Sequence, residues 1–282
     1  MAYKSLLTIC TDATRVAGTF SAAAHLAMLQ NGHLDVLALG VDHTQVGYSY
    51  MGAGAIVTQL TQERAEADVK EIERTVRLAA AAEPENLRWS SESAVAMLGA
   101  VADLVGMRAR FADLVVLPRP YGKDCGIEEE AIVEAALFEG QAPVLILPDP
   151  ALVPKKFGKR VVIAWNQSRE SMIAVRKALP VLRHADLVSI TIIDPPQHGP
   201  ERSDPGGALC QMLVRHGVRA EVTVLARSMP RVSDVLIRHM RDFNADLLVM
   251  GAYGHSRFRE AILGGATRAM LEKAEVPVLM AH

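Results

Sequence analysis

The chain has 282 residues, half of them hydrophobic and few of them aromatic, with 30 basic residues against 32 acidic ones. This length suits one large or two ordinary domains with buried cores, and the near-neutral charge argues against a partner that is nucleic acid or an anionic membrane. The three cysteines show no CxxC spacing and no run of about 18 apolar residues occurs, so we expect a cytoplasmic protein with neither a disulfide framework nor a membrane span.

An internal repeat organises the chain. The first predicted strand ends at Thr11 and Asp12, and a second apolar strand ends in the same way at Trp165 and Asn166, each followed by a helical pattern. Three further pairs of segments match between the two halves: 34–39 with 185–190, 112–117 with 245–250, and 142–145 with 276–279.

Each half alternates short apolar strands with helical segments. Weak polar alternation within the strands predicts strands buried on both faces, and strand-helix alternation predicts an open, doubly wound parallel sheet with helices on both faces. We place the domains at 1–150 and 158–282, joined by a proline-containing linker. Gly47, Gly52 and Gly54 predict a long loop, and the charged helix expected over Gln62 to Leu78 is interpreted as a solvated face.

A glycine-rich pattern follows the fourth strand of the second half. Gly251 and Gly254 allow sharp turns and a close approach of the backbone to a ligand, while Gly264 and Gly265 precede a helical pattern. A helix start offers unpaired N–H groups and a partial positive charge, which suits a phosphate, and Thr267 would add a hydroxyl. The same glycines are also compatible with simple turns around a helix start. The spacing matches neither the Walker A motif nor the Rossmann fingerprint.

The spacing Gly-x-x-Gly, nine residues, then Gly and a small residue resembles the ATP-binding signature of the universal stress protein family. The preceding strand at 245–250 and the closing Val-Pro-Val-Leu strand are similar to the same family. The resemblance covers nearly the whole chain twice. It implies two tandem α/β domains of the adenine nucleotide α hydrolase-like type, each with a five-stranded mostly parallel sheet.

The resemblance also implies a nucleotide site in the second half, holding ATP with an accompanying Mg²⁺. By it, strand ends would frame the adenine, and the glycine-rich segments would meet the ribose and phosphates. His255 is added because it lies in the candidate loop, where it would serve either loop hydrogen bonding or a phosphate contact. The residues concerned are Ala164, Trp165, Asn166, Ile192, Met250, Gly251, Tyr253, Gly254, His255, Gly264, Gly265, Ala266 and Thr267. No metal-binding cluster of the protein's own and no catalytic residue is predicted.

Two positions depart from the family pattern. Gly265 stands where the family usually has Ser or Thr, so a phosphate hydroxyl is missing, and Asn166 stands where it usually has Asp, so a negative charge is missing.

The first half lacks the phosphate-binding pattern. Pro118 and Pro120 occupy the positions of Gly251 and Tyr253, and proline removes an N–H donor. The following helix is expected to begin near Glu128, Glu129 and Glu130, whose carboxylates would repel a phosphate. We interpret the first half as a structural or regulatory copy with a degenerate site.

Three function classes follow from these features. The first is an ATP-binding sensor or regulator of a stress response, with slow ATP hydrolysis at most. The second is a nucleotide-free tandem stress protein that acts as an interaction module for an unknown protein partner, and the third is an enzyme of the related adenine-nucleotide group. The two closing strands are expected to pair, giving an intramolecular pseudo-dimer, and a homodimer is also compatible with the pattern.

Overall fold

The computed structural model of the protein describes residues 2–44, 54–122, 125–149, 157–195, 203–252 and 265–282. The described part of the first half has five strands and four α-helices in chain order: β1 (Ser5–Cys10), α1 (Ala13–Leu29), β2 (His33–Asp42), α2 (Gly54–Ala81), β3 (Trp89–Met97), α3 (Val101–Ala109), β4 (Leu114–Pro118), α4 (Ile127–Phe138) and β5 (Val144–Leu147).

The second half repeats this alternation. Its described elements are β6 (Arg160–Ala164), α5 (Arg169–Leu182), β7 (Leu187–Ile193), α6 (Gly207–Arg215), β8 (Ala220–Leu225), α7 (Val232–Asp242), β9 (Leu247–Gly251), α8 (Ala266–Lys273) and β10 (Val278–Ala281). The predicted α/β class with a mostly parallel sheet is therefore confirmed.

The chain packs as two compact units. The unit of the first half contains Ala2–Ala142, where the strand order is β3-β2-β1-β4 and the described pairs are parallel. The unit of the second half contains the rest of the described chain apart from Asp149, and includes β5, which lies in Pro143–Pro148.

Strand order in the second unit is β5-β10-β9-β6-β7-β8. Strand β5 is antiparallel to β10, with Leu145 opposite Leu279, while the other described pairs are parallel. The expected pairing of the two closing strands is thus observed. Because both strands are buried and apolar, the pairing protects backbone groups that would otherwise form a sheet edge.

The central strands are buried on both faces, as their apolar sequences predict. All five residues of β4 and the first four of β9 are buried. The prediction is wrong for β3 and β8, none of whose residues is buried. These two strands end the strand order of their units, so they have a neighbour on one side only and carry polar residues such as Ser90 and Glu221.

Helix α2 differs from its prediction in two ways. It begins at Gly54, which was expected in a loop, and one face is packed rather than solvated. Ala65, Val69, Ile72 and Val76 are buried at helical spacing, while the charged residues of the same helix occupy the remaining faces.

All three cysteines lie among the described residues and are free thiols. Within the described ranges, no helix combines the length and apolar character that crossing a membrane requires.

Candidate functional site

The strand order of the second unit reverses between β6 and β9, which are adjacent and parallel. Ala164 lies opposite Met250 at the carboxyl ends of these strands, and opposite Thr191 of β7 on its other side. Ligands of open parallel sheets bind beyond the carboxyl ends of the strands at such a reversal. The structure therefore brings Ala164, Ile192 and Met250 to one edge of the sheet.

Trp165 directly follows β6 at this edge and is buried, with 6% of its surface exposed. Its main-chain N–H donates a 2.9 Å hydrogen bond to the carbonyl oxygen of Thr191, which fixes the strand end. Its indole Nε1 is buried and has no hydrogen-bond partner among the described residues. A buried donor without an acceptor is costly, so this N–H is available to an incoming acceptor.

Asn166 is exposed and has a local structural partner. Its Oδ1 accepts a 3.1 Å hydrogen bond from the main-chain N–H of Ser168, and Ser168 in turn caps α5 by accepting from the N–H of Ser171. In the first half, Asp12 accepts from the N–H of Thr14 at 2.8 Å at the start of α1. Asp12 and Asn166 thus both order the turn into the first helix of their half, a role that an amide oxygen performs as well as a carboxylate.

Gly251 ends β9, where the first turn of α5 leaves no space for a side chain. A Cβ at this position would lie 2.6 Å from the main-chain nitrogen of Ser171 and 2.8 Å from the carbonyl carbon of Glu170. The glycine is therefore required by the packing of α5 on the strand end, independently of any ligand.

Gly265 is the N-cap residue of α8 and offers no side-chain cap. Ala266 and Thr267 form the first turn, which contains no acidic residue, and the side chain of Thr267 is buried. The start of α8 thus combines a bare glycine cap with the partial positive charge of a helix N-terminus. The other predicted phosphate contacts, Tyr253, Gly254, His255 and Gly264, lie outside the described residues.

At the equivalent edge of the first half, polar and charged side chains link the elements to one another. Thr11 Oγ1 donates a 2.5 Å hydrogen bond to Oε1 of Glu129, and Arg15 Nη1 lies 3.7 Å from the same oxygen. Arg15 Nη2 also donates to the carbonyl oxygen of Arg119 at 2.6 Å. These contacts link the start of α1 to the start of α4 and to the turn after β4.

The acidic start of α4 is as the sequence predicted. Glu129 is buried, and burial raises the pKa of its carboxyl. The burial of Cys10, together with the charge of Glu129, raises the pKa of that thiol to about 12. Glu130 accepts a 2.6 Å hydrogen bond from the hydroxyl of Tyr121. A phosphate at this helix start would meet carboxylates instead of free N–H groups.

Sequence reasoning missed the roles of Arg15 and Glu129, which are separated by more than a hundred residues. It also did not single out His239. Its Nε2 lies 3.3 Å from the buried hydroxyl of Ser189, which is 2.9 Å from that of Thr223, and burial lowers the pKa of the imidazole. Ser189 is in the middle of β7, so this polar cluster is separate from the sheet edge described above.

No group of three or more His, Cys, Asp or Glu side chains with a metal-binding arrangement occurs among the described residues.

Comparison with known proteins identifies the second half. The model of the universal stress protein family matches residues 158–282. This part of the chain is similar to the universal stress protein family.

A curated member of this family, universal stress protein Slr1230 of Synechocystis sp., is 32% identical over 145 residues. The match covers 47% of each protein, so the chain aligns with about half the length of this relative.

Solved structures extend the likeness in fold to the whole chain. A universal stress protein from Archaeoglobus fulgidus superimposes with a TM-score of 0.68 at 16% identity, covering 98% of this chain and 95% of that one. A functionally unknown protein, PA1789 from Pseudomonas aeruginosa, gives a TM-score of 0.57 at 14% identity, covering 99% and 92% of the two chains. At these identities the comparison shows a shared fold.

Proposed function

We propose that the second half binds an adenine nucleotide and that the chain acts as a nucleotide-dependent sensor or regulator in a stress response. The observation that supports this most directly is the contrast between two helix starts. Helix α4 begins with Glu128, Glu129 and Glu130, whereas α8 begins after Gly265 with no acidic residue in its first turn. Only the second of these suits a phosphate electrostatically.

The base would lie at the ends of β6, β7 and β9. Trp165, Ile192 and Met250 are buried at this edge and provide an apolar wall. The unpartnered indole N–H of Trp165 would donate a hydrogen bond to an acceptor atom of the ligand, such as a ring nitrogen or a ribose oxygen. Any Mg²⁺ would arrive with the nucleotide and be held chiefly by its phosphates, because this ion usually keeps several waters and few protein ligands.

The interaction-module alternative is favoured by one surface of the first half. Phe111 is 80% exposed and Met107 is 53% exposed beside a cavity of about 340 Å³ on the β2-β3 side of the sheet. Exposed apolar groups next to a depression are typical of protein contact surfaces.

Mass spectrometry of small molecules released when the purified full chain is denatured tests the proposal and the alternative together. We expect an adenine nucleotide, or stoichiometric uptake of added ATP where none is retained. If the chain neither releases nor takes up an adenine nucleotide, the proposal is rejected and the nucleotide-free interaction module remains as the alternative.

A further inference from the structure

A second cavity lies entirely within the unit of the first half, at the carboxyl edge of its sheet. It has a volume of about 360 Å³ and is bordered by Thr11 after β1, by Val41 and His43 at the end of β2, and by α2. This volume falls in the lower part of the roughly 300–1,000 Å³ range of small-molecule sites. Its position, beyond the ends of parallel strands, is where such sheets bind ligands.

The walls of this cavity are held by specific contacts. Thr44 Oγ1 lies 2.5 Å from Oγ1 of Thr61 on α2 and donates to Oδ1 of Asp42 at 2.6 Å. These hydrogen bonds connect the turn after β2 to α2. Gly40 lets α2 approach β2 closely, because a Cβ at that position would overlap the main-chain oxygen of Ala65. The cavity is therefore a consequence of fixed packing.

One polar atom of the cavity lacks a donor. Oε2 of Glu128 is buried and has no hydrogen-bond partner within the described part of the chain, and Nε2 of His43 lies 3.7 Å from it. A buried carboxylate oxygen without a donor is costly, so a ligand that supplies an N–H would remove that cost.

The charge of the lining favours a cation over an anion. Two carboxylates, Asp68 and Glu128, line the cavity with one guanidinium, that of Arg64. His43 also lines it, and with this imidazole neutral the carboxylates outnumber the cationic groups. Val41 and Ala65 provide an apolar side on which a flat ring would pack. Phosphates and carboxylates are disfavoured by the same acidic groups.

We propose that this cavity binds a small molecule with an apolar body and a cationic or N–H-donating nitrogen that pairs with Glu128. The site is independent of nucleotide binding by the second half. The first half, although it has lost the phosphate-binding pattern, would thereby be a ligand site of a different chemical class.

Benzamidine and benzoate are suitable probes, since they share a ring and size but carry opposite charges. Titration of the full chain by calorimetry should detect benzamidine and not benzoate. Glu128→Gln should weaken benzamidine binding by about tenfold or more. Glu130→Gln is the matched control, because its carboxylate is on the same helical turn but pairs with Tyr121 outside the cavity.

A second variant, Val41→Phe, should abolish binding by filling the space. Thermal melts report whether Val41→Phe folds. If it does not fold, the effect of Glu128→Gln on benzamidine binding tests the proposal. The proposal is overturned if benzamidine does not bind, if benzoate binds equally well, or if Glu128→Gln and Glu130→Gln have the same effect.

Discussion

The Thr11 hydroxyl donates a 2.5 Å hydrogen bond to Oε1 of Glu129, so the end of β1 is joined to the start of α4 across the reversal point of the first sheet. Arg15 lies 3.7 Å from the same oxygen. This buried arrangement occupies the edge at which the second half has Trp165 and a helix start without acidic residues. The two halves thus share a fold but differ in the chemistry of the equivalent edge.

Glu129→Gln should stabilise the protein near neutral pH. Burial raises the pKa of this carboxyl, which means that the folded protein holds the proton more tightly than the unfolded chain does. The stability that this group contributes is therefore present below the usual Glu pKa and lost as the pH rises through the raised pKa. Glutamine keeps an acceptor for Thr11 without the buried charge.

Urea denaturation of the parent and Glu129→Gln at about pH 7 and about pH 4 measures this effect. The advantage of the variant should shrink at the lower pH, and Glu130→Gln, whose carboxylate is half-buried and paired with Tyr121, should show less change. A Glu129→Gln variant that is less stable than the parent at both pH values would contradict the account.

Gly40→Ala should destabilise the first half by about 1–3 kcal/mol or more, because its methyl would overlap the Ala65 backbone rather than a movable side chain. Gly99→Ala is the matched control, since a Cβ there would have no heavy atom within 4 Å. Its effect should stay within about 0.5 kcal/mol. Equal free energies of unfolding for the two variants would show that α2 does not pack tightly on β2 at Gly40.

The order of strands and helices could be predicted from the sequence because buried parallel strands are apolar throughout. The start of α2 at Gly54 could not be predicted from the sequence, because three glycines in a short stretch are typical of a loop. The helix is favoured only by packing of its buried face, which includes Ala65. The exposure of β3 depends on its place at the end of the strand order, which sequence periodicity does not encode.

The candidate site was predictable in part. The family resemblance pointed to Ala164, Trp165 and Met250, and the structure has Ala164 paired with Met250 at the ends of adjacent strands. The pairing of Arg15 with Glu129 was not predictable, since it depends on side-chain directions of residues distant in the chain. Asn166 was interpreted for its missing charge, whereas its local hydrogen bond to Ser168 depends only on the oxygen.

Gly265→Ser should tighten ATP binding about three- to tenfold, because a hydroxyl at the start of α8 would donate a charge-assisted hydrogen bond to a phosphate oxygen. Titration with a fluorescent ATP analogue measures the change. Gly126→Ser places the same hydroxyl at the N-cap of α4 and should leave the affinity unchanged. Equal effects of the two substitutions would indicate general helix stabilisation instead of phosphate contact.

Nucleotide binding should alter the fluorescence of Trp165. The chain has two tryptophans, and Trp89 packs edge-on against Phe20 with ring centroids 5.6 Å apart, within the first unit. In a Trp89→Phe variant the remaining signal comes from Trp165 alone, and ATP should change its intensity or emission maximum in a saturable manner. An unchanged spectrum at saturating ATP would place the nucleotide elsewhere.

Calorimetric titration of the full chain with ATP tests most directly whether the second half alone binds the nucleotide. We expect one site per chain, lost in Gly265→Glu, which gives α8 an acidic start like that of α4, and retained in the matched Gly126→Glu variant. Two equivalent sites, or a single site that Gly265→Glu leaves intact, would contradict the account.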